Sequence, residues 1–208
     1  MKELRILVGD ILKSFPSNRN LIEWSGSDIF LFSFFDDVSM KRTHVSSAGA
    51  SNGCFLIPRD VVGWLRCQKL DSILTMVIYV DDGYMLKCML KDGCCTQIFR
   101  CNVECHTSIE WEDKPCASVN WTCEMNDVVK CLFGVVHVDM HRYVKFSCGN
   151  ASAVVEVLTD GECSCYYDSD LLQKVDIIGK MCIHKSRIIT IKDGSVVYLI
   201  APYVNSRQ

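Results

Sequence analysis

Pro58-Arg-Asp-Val-Val-Gly-Trp-Leu-Arg66 is followed by Ser72-Ile-Leu-Thr-Met-Val-Ile-Tyr-Val80, an Asp81-Asp-Gly83 turn and Tyr84-Met-Leu-Lys-Cys-Met-Leu90. The first stretch has apolar Val61, Val62, Leu65 and Leu70 near helical spacing, which predicts a short helix from about Pro58 to Leu70. Pro58 suits a first turn, where a missing amide hydrogen costs nothing. The two runs that follow are rich in β-formers, and Asp82-Gly83 between them is a hairpin signal. Lys91-Asp-Gly93 then turns into a third run, Cys95 to Val103.

Working outward, the same order recurs. Gly9-Asp10-Ile11-Leu12-Lys13, Asn126-Asp127-Val128-Val129-Lys130 and Ser169-Asp170-Leu171-Leu172-Gln173 repeat the motif of Arg59-Asp60-Val61-Val62-Gly63. In each, an Asp at or near a helix start can accept bonds from free backbone amides and face the positive end of the helix dipole. Strand-like sequence follows every time: Leu21–Trp24 and Ile29–Phe34 after the first, Tyr143–Cys148 and Ala153–Leu158 after the third. The fourth leads to Arg187–Ile191 and Val196–Ile200. The third helix is expected to run to about Val135. This internal repeat predicts an α+β chain of four units in two similar halves, each with two short helices packed on antiparallel sheet. Glu104–Ser118, with Glu110, Glu112, Asp113 and Pro115 and little periodicity, reads as an exposed connector. The expected domains are residues 1–103 and 119–208, joined by residues 104–118.

Composition narrows the function classes. With 49% hydrophobic and 23% charged residues, the chain can build a core and is not disordered throughout. A net charge of −3 argues against a small module that grips DNA along one face, yet permits one basic surface and one acidic one. No apolar run approaches membrane-spanning length, and the charged start MKELRILVGD does not resemble a signal peptide. A soluble intracellular protein with reduced cysteines is therefore expected. Several of the fourteen cysteines sit where strand residues should point inward, as small buried hydrophobes, although a secreted disulfide framework would suit the sequons at Asn120 and Asn150.

Chemistry-bearing clusters are few. Cys94, Cys95, Cys101, Cys105 and His106, with Cys116, Cys123 and the Cys163-Ser-Cys165 pair, could supply zinc ligands, but no clean pair of pairs exists. His137 and His141 have metal-ligand spacing and lie near Asp139, Cys131 and Cys148. A charged helix-to-strand turn with exposed histidines accounts for them better. No phosphate-binding glycine loop follows a strand and no Gly-x-Ser-x-Gly elbow occurs. No enzyme, no cofactor and no metal is the resulting expectation.

Four helix-plus-strand units in two halves joined by an acidic connector resemble the sliding-clamp family typified by proliferating cell nuclear antigen. Leu4-Arg-Ile-Leu-Val-Gly-Asp-Ile-Leu-Lys13 is similar to the opening strand and first helix of a clamp. Asp193-Gly-Ser-Val-Val-Tyr-Leu-Ile-Ala-Pro202 is similar to the last strand and the Ala-Pro that ends it. The resemblance spans nearly the whole chain as a pattern, while the region from Asp160 to Arg187 departs from it as though strand material were missing. It implies a factor that encircles or tracks duplex DNA irrespective of sequence and tethers a polymerase or repair protein. A separate clamp loader would place it, in the nucleus or a viral replication compartment. Weak Lys/Arg–phosphate contacts from helices lining a hole would permit sliding. The residues implied are Lys13, Arg19, Arg59, Arg66, Lys69, Lys130, Lys174 and Lys180, although ordinary solvated helix faces carry such residues too. The resemblance places a client pocket near Ile109, Trp111, Pro115, Ala201, Pro202 and Tyr203. Trp111 in an acidic loop is either a binding anchor or folded back on the sheet. Exposed edge strands near Leu4–Val8 and in the third unit give a physical reason to expect a homo- or hetero-oligomeric ring. The competing reading is a non-enzymatic β-rich protein-interaction module, such as a viral host-factor binder, with no nucleic-acid role.

Overall fold

The computed structural model describes residues 2–37, 39–81, 83–92, 95–107 and 114–204. The chain divides into two compact units. The first comprises residues 1–34 and 42–110, the second residues 35–41 and 111–208. Residues 104–118, expected as connector, include a short strand at one end and the start of a longer strand at the other.

In the first unit, β1 (Lys2–Leu7) leads into α1 (Val8–Ser14), then β2 (Arg19–Phe34) and β3 (Met40–Ile57). After α2 (Arg59–Arg66) come β4 (Ile73–Asp81), β5 (Gly83–Asp92), β6 (Cys95–Asn102) and the short β7 (Cys105–His106). The strands β1-β4-β5-β6 form one antiparallel sheet in that order. The long β2 is more than a straight strand. Sixteen residues at ~3.3 Å each would separate its ends by roughly 50 Å. Yet Ser17, just before it, hydrogen-bonds Ser33 Oγ near its far end at 2.8 Å. The strand therefore doubles back, and Gly26, at φ +63°, supplies the left-handed residue of the bend. The first half of β3 lies beside the outgoing arm, with His44 Nε2 2.7 Å from Asp28. Its second half lies beside the incoming arm, where Phe55 packs edge-on against Trp24.

The second unit repeats this order. β8 (Pro115–Trp121) leads to α3 (Cys123–Lys130), β9 (Val135–Met140), β10 (Val144–Cys148), β11 (Ala151–Val155) and β12 (Cys163–Asp168). Then come α4 (Ser169–Leu172), β13 (Gly179–His184), β14 (Ile189–Asp193) and β15 (Val196–Ile200). One sheet has the order β11-β10-β9-β12, the other β15-β14-β13-β8. A single bridge, Ser118 to Asp160, joins them. Each unit encloses its own apolar core between sheets and helices. Leu4, Ile11, Phe15, Val61, Leu65, Met76 and Leu86 belong to the first, and Trp121, Met125, Val129, Phe146, Leu172, Met181 and Ile191 to the second.

The four helices occupy the four expected places, but their limits differ. Pro58 caps α2 from outside, and the helix ends at Arg66, not near Leu70. α3 begins one turn earlier than the Asp motif suggests, because Thr122 accepts the Met125 amide and Asp127 falls mid-helix. It stops at Lys130, so Val135 opens β9. The stretch around His137 and Asp139, expected as a turn, is a strand: Val136, Val138 and Met140 are buried and the residues between them face outward. The region from Asp160 to Arg187 has not lost its strands, since β12 and β13 lie within it.

Candidate nucleic-acid and partner-binding surfaces

Each unit sets two helices side by side, and backbone geometry fixes them. In the first, the Gly9 amide donates to Leu70 O at 2.8 Å and that of Val8 to Ser72 O, which ties the start of α1 to the loop after α2. A Cβ at Gly9 would stand 3.1 Å from Leu70 O, so a glycine eases this approach. In the second, Gln173 after α4 donates to Val129 O and Leu132 O, while Asn126 of α3 accepts from Trp121 Nε1 and donates to Ile177 O.

Lys13, Arg59 and Arg66 are exposed on the helix pair of the first unit, and Lys13 lies 3.7 Å from Asp10. Lys130 ends α3 and pairs with Asp127 at 3.3 Å. The other four residues are not helical. Arg19 opens β2 over the Phe34 ring, Lys69 lies in the loop after α2, and Lys174 follows α4 over the Phe35 ring. Lys180 stands on β13 next to the buried Met181, so it points away from the core that α3 and α4 help to close. Together the four helices carry four basic and five acidic side chains, and α4 contributes only Asp170. Their faces are thus nearly neutral.

The expected partner residues fall into two groups. Ile109 and Trp111 lie outside the described residues. Pro115 and Ala201–Tyr203 come to one end of the second unit, because register carries a row from Ala117 through Ile183 and Ile189 to Ile200. Two strands intervene, a span of about 14 Å. The Ala201 amide donates to Ser39 Oγ at 3.0 Å, and the Tyr203 amide to Tyr166 O at 2.7 Å. The tail therefore leaves its own sheet and runs onto β12. There Tyr166, half exposed, stacks on His137 with ring centroids 4.6 Å apart, and His137 Nε2 bonds Ser164 Oγ. Tyr203 belongs to the expected partner set, whereas Tyr166 and His137 beside it do not. The signal for this surface lay in the alternation from Val135 to Met140.

Beneath the tail, Lys41 Nζ is 3.1 Å from an Asp176 carboxylate oxygen, whose partner oxygen accepts the Tyr198 hydroxyl at 2.6 Å. Burial, and then that carboxylate, push the Tyr198 phenol well above its usual range. At the start of β12, the Cys163 thiol is pushed up to about 11, by burial first and then by the adjacent Cys116 thiol. Among the described residues no group of three or more His, Cys, Asp or Glu is placed to hold a metal ion, and no helix is long and apolar enough to cross a membrane. No disulfide links the thirteen described cysteines.

No family model matches the sequence, and no curated protein does. Solved structures do. A candidate DNA polymerase III beta subunit from Eubacterium rectale superposes with a TM-score of 0.74 at 12% identity, over 100% of this chain and 66% of that one. The Helicobacter pylori beta clamp bound to a DNA ligase peptide gives 0.70 at 10% identity, over 100% and 68%. The chain has the sliding-clamp fold. It spans about two thirds of the length of either neighbour. At these identities the clamp fold is retained with almost no sequence in common, so the repeated order of helices and sheets is what the three proteins share.

Proposed function

We propose that this chain is a clamp-type accessory factor that encircles or tracks duplex DNA and tethers a polymerase or repair protein, with no catalytic role of its own. The observation that carries this reading is the duplicated unit, two helices on paired antiparallel sheets, together with its likeness to beta clamps along the entire chain. Near-neutral helix faces suit a sliding ring better than a gripping one. A ring held by topology needs only weak phosphate contacts, from Lys13, Arg59, Arg66 and Lys130 on the helices and from Arg19, Lys69, Lys174 and Lys180 beside them.

Ring closure would use open sheet edges. β1 is an edge strand, but Lys2 is tied to Asn52 O and lies over the Phe55 ring. β12 is covered by the tail, where the Tyr203 amide donates to Tyr166 O, and the Ser118–Asp160 bridge lies just ahead of it. Of the edges of the two four-stranded sheets, β6 and β11 remain, and pairing one with the other in a second copy or a related subunit would remove both of these liabilities. Clients would dock where Pro115, Ala201, Pro202 and Tyr203 gather, with Ile109 and Trp111 from the connector, as short peptides with an aromatic anchor. A loader, and work in the nucleus or a viral replication compartment, complete the proposal. A second reading, a protein-interaction module without nucleic acid, is favoured by the same near-neutral helices.

Retention on linear duplex with blocked or free ends separates the two. A ring stays on the blocked DNA through a salt wash and runs off when the ends are freed. Loss from both substrates at low salt would leave the interaction module.

A further inference from the structure

The outer face of the sheet β1-β4-β5-β6 carries cations that the unit does not neutralise. Leu86, Cys88 and Leu90 are buried, so Lys87, Met89 and Lys91 of β5 face away from the core. Register sets Lys87 opposite Arg100 of β6 and Met89 opposite Ile98, which is 49% exposed. Like charges directly opposite on a sheet are destabilising. Among the described residues no carboxylate pairs with Lys87, Lys91 or Arg100, and Glu3 on the same face is held by Arg5 at 2.8 Å. Beside this strip an open groove of about 650 Å³ is lined by the cations Arg5, Lys69 and Lys91, by Met89, and by two carboxylates, Glu3 and Asp71. A protein that keeps an uncompensated cation pair on an exposed sheet breaks a local rule, and such breaks concentrate where something binds.

We propose that this face docks an extended acidic peptide in which two carboxylates four residues apart flank an apolar side chain. Lys87 and Lys91 are separated by about 13 Å, the span of four extended residues, so a peptide lying along β5 matches them in register. The Met89–Ile98 row between them takes the apolar residue, and methionine adapts to varied partners there. A nucleic-acid backbone fits less well. It presents negative charge without interruption, whereas the apolar row breaks this strip into separate cationic sites. The surface lies wholly in the first unit and does not depend on whether the chain encircles DNA.

The test follows the methionine methyl signals of the isotope-labelled protein during titration with acetyl-Glu-Ser-Leu-Ser-Glu-amide, with its Lys-for-Glu counterpart, and with a duplex oligonucleotide. The acidic peptide should shift the Met89 methyl saturably, and added salt should weaken the effect. K87E sets a carboxylate opposite Arg100, so it should leave thermal stability unchanged or raised while weakening peptide binding roughly tenfold. R142E, between β9 and β10 of the second unit, should leave peptide binding unchanged. A Met89 signal that ignores the acidic peptide at millimolar concentration, responds equally to the lysine peptide, or moves only with the duplex would overturn the proposal. So would K87E binding the peptide undiminished.

Discussion

Lys41, Asp176 and Tyr198 show how one buried charge makes its neighbours unequal. The Lys41 side chain is 7% exposed and that of Asp176 is 63% exposed. Removing the carboxylate strands a desolvated ammonium, whereas removing the lysine leaves an aspartate that water can reach. Asp176→Ala should therefore lower unfolding free energy by roughly 2–3 kcal/mol, and Lys41→Met by appreciably less, both read by chemical denaturation. Equal losses would contradict the asymmetry. Cys88 gives a pH signature. Burial first, and then Cys101, push its thiol up to about 12 from the ordinary 9.0. The folded state keeps a proton that the unfolded state has released, so this contribution is whole below the ordinary value and falls as pH rises toward the folded one. The midpoint of thermal unfolding should drop from about pH 8 to about pH 11, and drop less in Cys88→Ala. An identical slope in both proteins would assign the alkaline loss to other groups, such as Cys54 or the buried tyrosines.

At the scale of elements, short helices depend on their ends. Thr122 holds the first turn of α3, which carries Met125 and Val129 into the core, so Thr122→Ala should cost about 1 kcal/mol by the same assay. Gly161, at φ +83°, lies against β8 where an added Cβ would run into the Cys116 carbonyl. Gly161→Ala should thus cost more than Thr122→Ala, and the reverse order would argue against the Ser118–Asp160 junction. Helix positions were legible because Asp10, Asp60 and Asp170 fall in first turns. Asp127 misled because a threonine supplies the cap of α3. β9 is hard to read locally because the polar His137 and Asp139 interrupt its apolar residues, although Val136, Val138 and Met140 alternate as a strand requires. The bend in β2 left only Gly26 as a sequence sign, and its meaning rests on a Ser17–Ser33 bond that no local pattern announces. Lys180 looked like a helix-face cation, but the strand period turns it outward.

Over the whole molecule, the repeat made the fold readable and the charges made the function harder to read. A clamp fold shared at 10–12% identity depends on where helices and sheets fall, which short apolar motifs encode. A basic helix surface depends on individual side chains, and here Asp10, Asp60, Glu124, Asp127 and Asp170 offset the lysines and arginines. Pro115 and the tail come to one end of the second unit through sheet register, a long-range relation invisible to a local reading. The Tyr203 and Tyr166 surface makes its own prediction. Tyr166→Ala with Tyr203→Ala should abolish capture of a client peptide while leaving retention on end-blocked DNA intact, and loss of both would mean that the pair supports the fold instead.

The proposed ring requires β6 and β11 to pair between subunits. Light scattering on the purified, reduced protein, alone and with related subunits, tests it most directly. A ring gives a discrete closed assembly at a multiple of the 23.6 kDa chain mass, dispersed when proline is placed within β6 or β11. A species that stays at 23.6 kDa at every concentration and with every related subunit would contradict it.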